Sequence, residues 1–243
     1  MLLQVGRSGI VSRNQLCEFL TPRDEKPNKK VLGNRLRRLE AHDLLQRLPG
    51  IRAAPDALYV LTRAGESYLP GAGEYLSHRG VAQHRQNWEH WIEINHIHLA
   101  FRKAWRFITW EYESQIRTRS DCGDRPYQKE YDAVITLVGQ DDLLSVALEY
   151  ERTPKSAPRY EQIRQNLESE TQIDACLYIV PAPQLKAALS NAFEKAHKPI
   201  YIGSYQDFRH DPMEAKVFYP RLSYELPFLE MLQMVEERKR RAA

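Results

Sequence analysis

The chain has 243 residues, enough for one large or two modest domains, and 42% of them are hydrophobic, which predicts a globular protein. No apolar stretch is long enough to cross a bilayer, and the first residues lack the basic start and extended apolar stretch of a secretory signal. Three widely spaced cysteines, Cys17, Cys122 and Cys176, fit a reducing compartment and form no zinc pattern. We therefore expect a cytoplasmic protein without membrane association.

Basic residues are unevenly distributed, although 35 Lys and Arg nearly balance 32 Asp and Glu and leave a net charge of +3. Residues 29–52 contain only Glu40 and Asp43 as acidic residues. The basic cluster in this segment consists of Lys29, Lys30, Arg35, Arg37, Arg38, Arg47 and Arg52. Such clustering indicates a surface that faces a polyanion, with an ordinary solvated helix face as the alternative.

A helix start is recognisable near the beginning of the chain. Ser12 and Gln15 have the spacing of a capping box, in which each side chain bonds to the backbone N–H of the other residue. Leu16 and Phe19 then give the following segment one apolar face at helical spacing. These features predict a helix after Ser12, preceded by a shorter helix that ends at Gly6.

A third helix and a hairpin are predicted next. Apolar residues at helical spacing predict a helix over residues 31–45 with arginines on its other side, and two strand-like pieces follow at 51–53 and 58–62. Three helices and a two-stranded wing make a winged helix-turn-helix, whose third helix enters the DNA major groove. Because the basic cluster coincides with that helix and the start of the wing, residues 1–69 are predicted to bind DNA. The alternative is a winged helix used for protein contacts or dimerisation.

The remainder of the chain predicts a second domain after a linker. Pro70-Gly71-Ala72-Gly73 is a breaker cluster, and residues 70–86 are expected to form the linker. Residues 87–222 alternate helical and strand patterns, as in a mixed α/β domain. The predicted helices cover 88–105, 158–169 and 183–195, and the predicted strands cover 107–117, 130–138, 143–152, 175–180 and 200–203. Residues 223–243 predict a C-terminal helix, at 226–241, with a solvated basic tail. The expected fold class is therefore α+β or α/β.

Three carboxylates occupy comparable places on two neighbouring predicted strands. Asp132 opens one strand, and Glu149 and Glu151 close the next, across a hairpin at residues 139–142. Period-two alternation puts Glu149 and Glu151 on one face, with Asp132 near the same end. Carboxylates so placed repel one another unless a cation neutralises them, and hard oxygen ligands suit Mg²⁺ or Mn²⁺. Such a cation polarises a phosphate and lowers the pKa of a bound water, which favours phosphodiester hydrolysis.

An Asp on one strand and Glu-x-(Lys or Glu) on the next resembles the PD-(D/E)xK restriction-endonuclease superfamily. The more specific combination is a winged helix, Asp132 and Glu149-Tyr150-Glu151-Arg152-Thr153, followed by Lys155, Arg159-Tyr160 and Gln162. It is similar to the MobC-type relaxases of mobilisable plasmids, in the replication-relaxation group, over most of the chain. The resemblance implies a winged helix-turn-helix followed by a restriction-endonuclease-like mixed-sheet domain.

The resemblance also implies roles for individual residues. Asp132, Glu149 and Glu151 would hold the metal, and Lys155 would replace the nuclease lysine, because Glu151 stands at the lysine position. Arg159, Tyr160 and Gln162 would face the DNA strand from the following helix, with a plain helix surface as the alternative for the first two. Glu93, on the first helix of the domain, is an auxiliary metal-ligand candidate, and Glu113, expected on the opening strand, is a weaker one.

A second chemistry is considered for Asn95-His96-Ile97-His98, since His-hydrophobic-His is the metal motif of relaxases that attack DNA with a tyrosine. That motif needs a strand, whereas residues 88–105 predict a helix, on which residues two apart diverge. His96 or His98 is therefore expected to serve packing or contact with the DNA backbone.

The expected activity is site-specific nicking of one DNA strand at a plasmid transfer origin, without a lasting covalent adduct. Expected partners are DNA of the plasmid transfer origin, in duplex and single-stranded form, and the coupling protein of a secretion system. The alternatives are a non-catalytic winged-helix regulator or replication accessory protein with a degenerate nuclease domain, and a double-strand restriction enzyme.

Overall fold

The computed structural model of the protein describes residues 1–22, 25–69, 85–104 and 107–242. The chain divides into two compact units, Met1–Leu99 with Arg117–Gly123, and Ala100–Ile116 with Asp124–Ala243. The predicted linker falls mostly in 70–84, outside the described residues.

The predicted boundary near residue 87 is not where the two units divide. The helix expected to open the second domain runs from Trp88 to Ala104, and its residues up to Leu99 belong to the first unit. Among the helices that the structure describes, none has both the length and the apolar character needed to span a bilayer.

The first unit combines short helices with a small antiparallel sheet. In chain order its elements are α1 (Leu2–Ser8), β1 (Val11–Ser12), α2 (Arg13–Leu20), α3 (Lys29–Ala41), β2 (Leu45–Leu48), β3 (Leu58–Leu61), α4 (Arg63–Ser67) and most of α5 (Trp88–Ala104). The three strands are ordered β1-β3-β2. Apolar residues of α1, α2, α3 and this sheet form one buried core, so the unit has an interior of its own.

Polar contacts fix the start of α2 and join it to α5. The Ser12 hydroxyl accepts from the Gln15 N–H at 3.1 Å, and the Gln15 carbonyl oxygen Oε1 accepts from the Ser12 N–H at 3.2 Å, which confirms the capping box. The Gln15 amide also donates to the Ile92 carbonyl at 2.7 Å, and Asn95 donates to the Ile10 carbonyl at 2.8 Å. Each of these buried polar side chains therefore bonds to backbone groups of another element.

The third helix is shorter than predicted, because Asp43 adopts the left-handed conformation, with φ of 53°. The helix ends at Ala41, and Leu45 instead begins β2, where it is buried opposite Leu61 of β3. The strand predicted at 51–53 is wrong, since Ile51 forms only an isolated bridge with Ala54. The apolar spacing of Leu44 and Leu45 fits a helix, but the turn at Asp43 redirects these residues into the hairpin.

The second unit is built on a seven-stranded mixed sheet. Its elements are β4 (Phe107–Tyr112), part of α6 (Glu113–Asp121), β5 (Ala133–Val138), β6 (Leu143–Tyr150), α7 (Ala157–Glu168), β7 (Ala175–Val180), α8 (Pro183–Phe193), β8 (Ile200–Ser204), α9 (Tyr205–His210), β9 (Lys216–Tyr219), β10 (Tyr224–Pro227) and α10 (Phe228–Ala242). The spatial order is β10-β9-β8-β7-β6-β5-β4. The β6–β7 and β7–β8 pairs are parallel, and the other neighbours are antiparallel. The mixed α and β class expected from the sequence is present.

Both faces of the large sheet are covered by helices. On one face, Tyr160 of α7 and Phe193 of α8 pack with Ala147 and Tyr178 in a continuous apolar core. On the other face, the rings of Phe208 in α9 and Phe228 in α10 lie 5.3 Å apart. Gly203 of β8 permits this packing, since a Cβ atom there would lie 2.3 Å from the Phe208 ring. The central strands are therefore buried on both sides, as parallel strands require.

Most predicted elements of this unit are present, and β7 has the predicted bounds of 175–180. The strand predicted at 107–117 stops at Tyr112, and α6 follows it, so the expected strand position of Glu113 is wrong. The prediction also omitted α9, β9 and β10, whose short segments carry little periodic signal.

The basic C-terminal tail is exposed at Arg238, Arg240 and Arg241, as predicted, but it is helical and one of its faces packs on the hairpin between β5 and β6. Glu236 is 1% exposed, and its carboxylate accepts from the N–H groups of Gln140 and Asp141 at 2.9 and 2.7 Å. These backbone bonds, with Arg240 nearby, lower the pKa of Glu236 to about 2. Lys239 pairs with Asp142 at 3.1 Å. The last turns of α10 therefore hold the hairpin loop in place.

Replacing Glu236 with Ala removes the acceptor for both N–H groups, and we expect a lower melting temperature in circular dichroism. Since the pKa of Glu236 is lowered in the folded protein, its contribution is present above pH 4.5 and is lost as the pH falls toward 2. The wild type and Glu236→Ala should therefore differ less in stability at low pH. Glu237→Ala is the control, because Glu237 is exposed and pairs along the helix with Arg241. Equal melting of both variants at neutral pH would show that the hairpin does not depend on Glu236.

Candidate active site

The strand register brings Asp132 and Glu149 together. Ala133 pairs with Leu148 in the antiparallel β5–β6 ladder, so Asp132, just before β5, stands opposite Glu149. Alternation places both side chains on the face that carries Val134 and Ala147, beneath α7 and α8. The predicted convergence of these two carboxylates at one strand end is therefore present.

Asp132 and Glu149 are stabilised in different ways. The carboxylate of Asp132 accepts from the Tyr150 N–H at 2.6 Å, which ties the start of β5 to the end of β6. Glu149 forms an ion pair with Lys129, whose Nζ lies 2.5 Å from Oε1. The two side chains of this pair are only 16% and 13% exposed, so solvent screens their charges weakly.

Glu151 directly follows β6 and is bound to a different lysine. Its N–H donates to the Ile179 carbonyl at 3.0 Å, which continues the alignment with β7. Its carboxylate is 6% exposed and forms an ion pair with Lys155. The Lys155 N–H in turn donates to the Tyr160 hydroxyl at 3.0 Å. Lys155, the predicted substitute for the nuclease lysine, is thus engaged with Glu151.

Lys129 was not identified from the sequence, yet its ammonium contacts Glu149 of the acidic pair. Its Nζ lies 5.0 Å from the centre of the Tyr131 ring, in cation–π geometry, while it also contacts Glu149. The available signal was a lysine three residues before Asp132. That spacing is uninformative without knowing that the segment before β5 bends toward β6.

The electrostatics of this pair follow from burial. Burial, helped by the nearby Asp132 carboxylate, raises the pKa of Glu149 to about 7, and the Lys129 ammonium opposes both effects. Burial would lower the pKa of Lys129, but the Glu149 carboxylate outweighs that effect, so the pKa of Lys129 is raised. A carboxyl group that titrates near neutrality beside a lysine is suited to proton exchange.

The acidic residues offer the oxygen ligands that a hard cation prefers, but in the part of the chain that the structure describes they do not form a group of three around one point. Asp132 and Glu149 offer oxygen ligands on adjacent strands, as Mg²⁺ or Mn²⁺ requires. Within the ranges that the structure describes, however, no group of three or more His, Cys, Asp or Glu side chains is placed to hold an ion. Glu151 is directed to Lys155, which leaves Asp132 and Glu149 as the pair best placed to hold one.

The buried Tyr178 hydroxyl offers a second observation beside this pair. Tyr178 is 1% exposed and stands next to Glu149 in the parallel β6–β7 register, on the same face of the sheet. Its hydroxyl has no hydrogen-bond partner among the described residues. A buried hydroxyl without a hydrogen-bond partner is costly, so one unsatisfied polar atom lies beside the Asp132–Glu149 pair.

The residues predicted at the start of the following helix separate into two groups. Arg159 and Gln162 are exposed on α7, where both remain candidates for DNA contact. Tyr160 is buried, and its ring packs against Phe193 at 5.8 Å, so the expectation that it faces DNA is wrong. Its hydroxyl instead positions the loop that carries Lys155.

Two further acidic candidates lie on other elements, and the Glu113 N–H donates to the Asp132 carbonyl at 3.0 Å. Glu93 lies in the part of α5 that belongs to the first unit, whereas Asp132 and Glu149 belong to the second. Glu113 is the first residue of α6 rather than a strand residue. Their proposed roles as metal ligands stay predictions.

The histidine motif lies on a helix, as predicted. His96 and His98 are within α5, and His98 is buried with its ring 5.1 Å from the Phe19 ring. This packing agrees with a structural role for His98.

The predicted basic cluster is exposed on the first unit. Its seven residues lie on α3, on β2 and in the loop after β2, and all are exposed: Lys29, Lys30, Arg35, Arg37, Arg38, Arg47 and Arg52. None of them forms an ion pair with an acidic side chain in the described ranges; Arg37 donates to Asn34 at 2.6 Å. The positive charge of this surface is therefore not neutralised by neighbouring carboxylates.

Comparison with known proteins yields little. No protein-family model matches the chain, and no curated protein matches it significantly. Among solved structures, the restriction endonuclease FokI bound to DNA aligns with 12% sequence identity and a TM-score of 0.28. The alignment covers 86% of this chain but only 42% of the FokI chain. A similarity this low supports no conclusion about fold or function, so both depend on the residues themselves.

The pKa of Glu149 predicts a pH dependence of stability. A carboxyl group whose pKa rises from 4.5 to about 7 on folding holds its proton more tightly in the folded state. Stability from this group is complete below pH 4.5 and is lost as the pH rises toward 7. In urea titrations across this range, Glu149→Gln should flatten the fall in unfolding free energy. Glu161→Gln, at an exposed position on α7, should keep the wild-type slope. Identical slopes for wild type and Glu149→Gln would refute the raised pKa.

Proposed function

We propose that the chain is a metal-dependent DNA endonuclease that binds duplex DNA with its first unit and cleaves one strand with its second. The observation that carries this proposal is the placement of Asp132 and Glu149 opposite each other on adjacent strands, with Lys129 beside them and solvent largely excluded. Paired carboxylates beside a lysine, at the end of buried strands, are suited to phosphodiester hydrolysis.

Asp132 and Glu149 would hold the Mg²⁺ or Mn²⁺, with Glu151 and Glu93 as further candidates. When bound, the cation would polarise a phosphate and lower the pKa of a water. The chain's own residues supply the rest. The Tyr150 N–H orients Asp132, and Lys129 orients Glu149.

The first unit is proposed to be a winged helix-turn-helix. Its order of helices, followed by the β2–β3 hairpin, supports this proposal, as does the exposed charge on α3 and β2. In this arrangement α3 would enter the major groove, and Arg47 and Arg52 would follow the phosphates from the hairpin. Binding would depend on phosphate contacts and would weaken steeply with salt.

The finer proposal is a relaxase that nicks a plasmid transfer origin and passes the strand to the coupling protein of a secretion system. Only the sequence resemblance to the replication-relaxation group supports it. Since hydrolysis by water needs no tyrosine nucleophile, the DNA should leave without a lasting covalent bond to the protein.

One observation favours a second candidate, a DNA-binding regulator with a degenerate nuclease domain. Each glutamate of the site is already neutralised by a lysine, Glu149 by Lys129 and Glu151 by Lys155. In a regulator of this kind, the two lysines would neutralise the glutamates, and no metal ion would bind there. Such a protein would bind DNA and leave it intact in Mg²⁺ or Mn²⁺.

A plasmid nicking assay distinguishes the candidates. With Mg²⁺ or Mn²⁺, the wild type should convert supercoiled transfer-origin DNA to the open circle, and Glu149→Ala should abolish conversion because it removes a carboxylate of the pair. Glu161→Ala, which changes an exposed glutamate on α7, should nick normally.

Other products identify the other candidates. Linear product indicates a double-strand endonuclease, and bound but intact DNA indicates a regulator. Equal nicking by the wild type and Glu149→Ala would remove Glu149 from the site.

If the basic surface binds DNA, removing its arginines should lower the DNA affinity and also the dependence of that affinity on salt. A variant with Arg37, Arg38 and Arg47 changed to Ala should bind duplex DNA more weakly. In fluorescence anisotropy, the slope of log affinity against log salt should decrease by about 0.9 for each phosphate that the variant no longer neutralises. Arg221→Ala, at an exposed site in the second unit, is the control. Unchanged affinity in the triple variant would place the DNA surface elsewhere.

A further inference from the structure

Position 151 holds a carboxylate where a nuclease of the proposed type has a lysine. Lys155 is the lysine nearest in sequence, but its ammonium pairs with Glu151 itself and so does not replace the missing positive charge. Its backbone is also held by the Tyr160 hydroxyl. The positive charge beside Asp132 and Glu149 therefore comes from another part of the chain.

Lys129 reaches that pair from the segment that precedes β5. Its Nζ contacts Glu149 Oε1 at 2.5 Å and lies over the Tyr131 ring at 5.0 Å, so the ammonium is bound on two sides. Asp132, which follows Lys129 by three residues, stands opposite Glu149 in the strand register. The Lys129 ammonium thus contacts Glu149 directly, whereas Lys155 contacts Glu151 and has a smaller electrostatic effect on Glu149.

We propose that Lys129 supplies the positive charge that position 151 lacks, an inference that rests on the proposed nuclease function. The charge would enter from the β5 side of the site rather than from β6. In the absence of DNA, Lys129 holds the Glu149 carboxylate in position. When a phosphate is bound, the flexible four-carbon chain lets the ammonium shift toward the phosphate oxygens while it stays beside Glu149.

A purely structural role explains this pair poorly. Burying a lysine and a glutamate costs desolvation that their mutual attraction often does no more than balance, and an apolar pair of similar volume would fill the space at no such cost. Apolar residues surround the pair on this face, among them Val134, Ala147 and Tyr160. A charged pair in this setting is better explained by the chemistry of the site.

The test compares lysine variants of the full chain in single-turnover nicking with Mn²⁺, alongside DNA binding and melting temperature. Lys129→Met should lower the cleavage rate by about 100-fold, the order expected when one transition-state charge is removed, with DNA affinity unchanged. Lys129→Arg keeps the charge and should recover part of the rate. The control is Lys198→Met, which removes a partly buried lysine that donates to the Glu170 carbonyl elsewhere in the unit. It should cleave normally.

A measurement without DNA separates positioning from folding. Mn²⁺ alone should raise the melting temperature of Lys129→Met at least as much as that of wild type, because Lys129 is not a metal ligand. Loss of this stabilisation would overturn the inference, since it would mean that Lys129 only maintains the shape of the site. Three cleavage results would also overturn it: wild-type cleavage by Lys129→Met, a larger decrease in Lys155→Met, or no recovery in Lys129→Arg. A wild-type protein that does not nick at all would overturn the proposed function, and this inference with it.

Discussion

A carboxylate can be buried on the face of a sheet only if a hydrogen-bond donor, a positive charge or a proton accompanies it. The second unit meets this requirement at each of three carboxylates. Asp132 accepts a backbone N–H from Tyr150, Glu149 pairs with Lys129, and Glu151 pairs with Lys155. Because each charge is matched locally, the rest of that face can be apolar and can pack under α7 and α8. The candidate site and the fold that contains it depend on the same charge matching.

The sequence predicted local features well where the signal was complete within a few residues. The capping box of Ser12 and Gln15 is an example, since the two residues bond to each other and need nothing from the rest of the chain. The strand at Ala175–Val180 is another, because six consecutive buried residues leave no other element that fits so short a run. By contrast, the end of α3 depends on the left-handed backbone at Asp43, and nothing in the spacing of Leu44 and Leu45 reveals it. The packing of Glu236 on a hairpin almost a hundred residues earlier has no local signal at all.

The candidate site was predictable to the same extent. Asp132 and Glu149 could be paired because a hairpin with a short loop fixes its own register, so their positions follow from counting residues. The partners of the two glutamates could not be paired in this way. Lys155 lies four residues after Glu151, but its bond to that carboxylate depends on how the loop after β6 folds back. Lys129 lies outside any regular element, and its side chain crosses to a strand that is twenty residues away in sequence. Side chains that cross between elements are the contacts for which the sequence pattern carries least information.

The strand order of the large sheet has a consequence for how the protein acquires its structure. From β4 to β10, every strand lies beside the strand that precedes it in sequence, so no strand has to be inserted between two others. Contacts between neighbouring strands then close only short loops or a single helix crossover, which keeps the entropy of loop closure small. Such a sheet can grow from one edge in the direction of synthesis, and each new strand finds its template already formed. In that order, the Glu149 strand would join before α10 packs on the hairpin. We therefore expect the acidic pair to form before the sheet is complete.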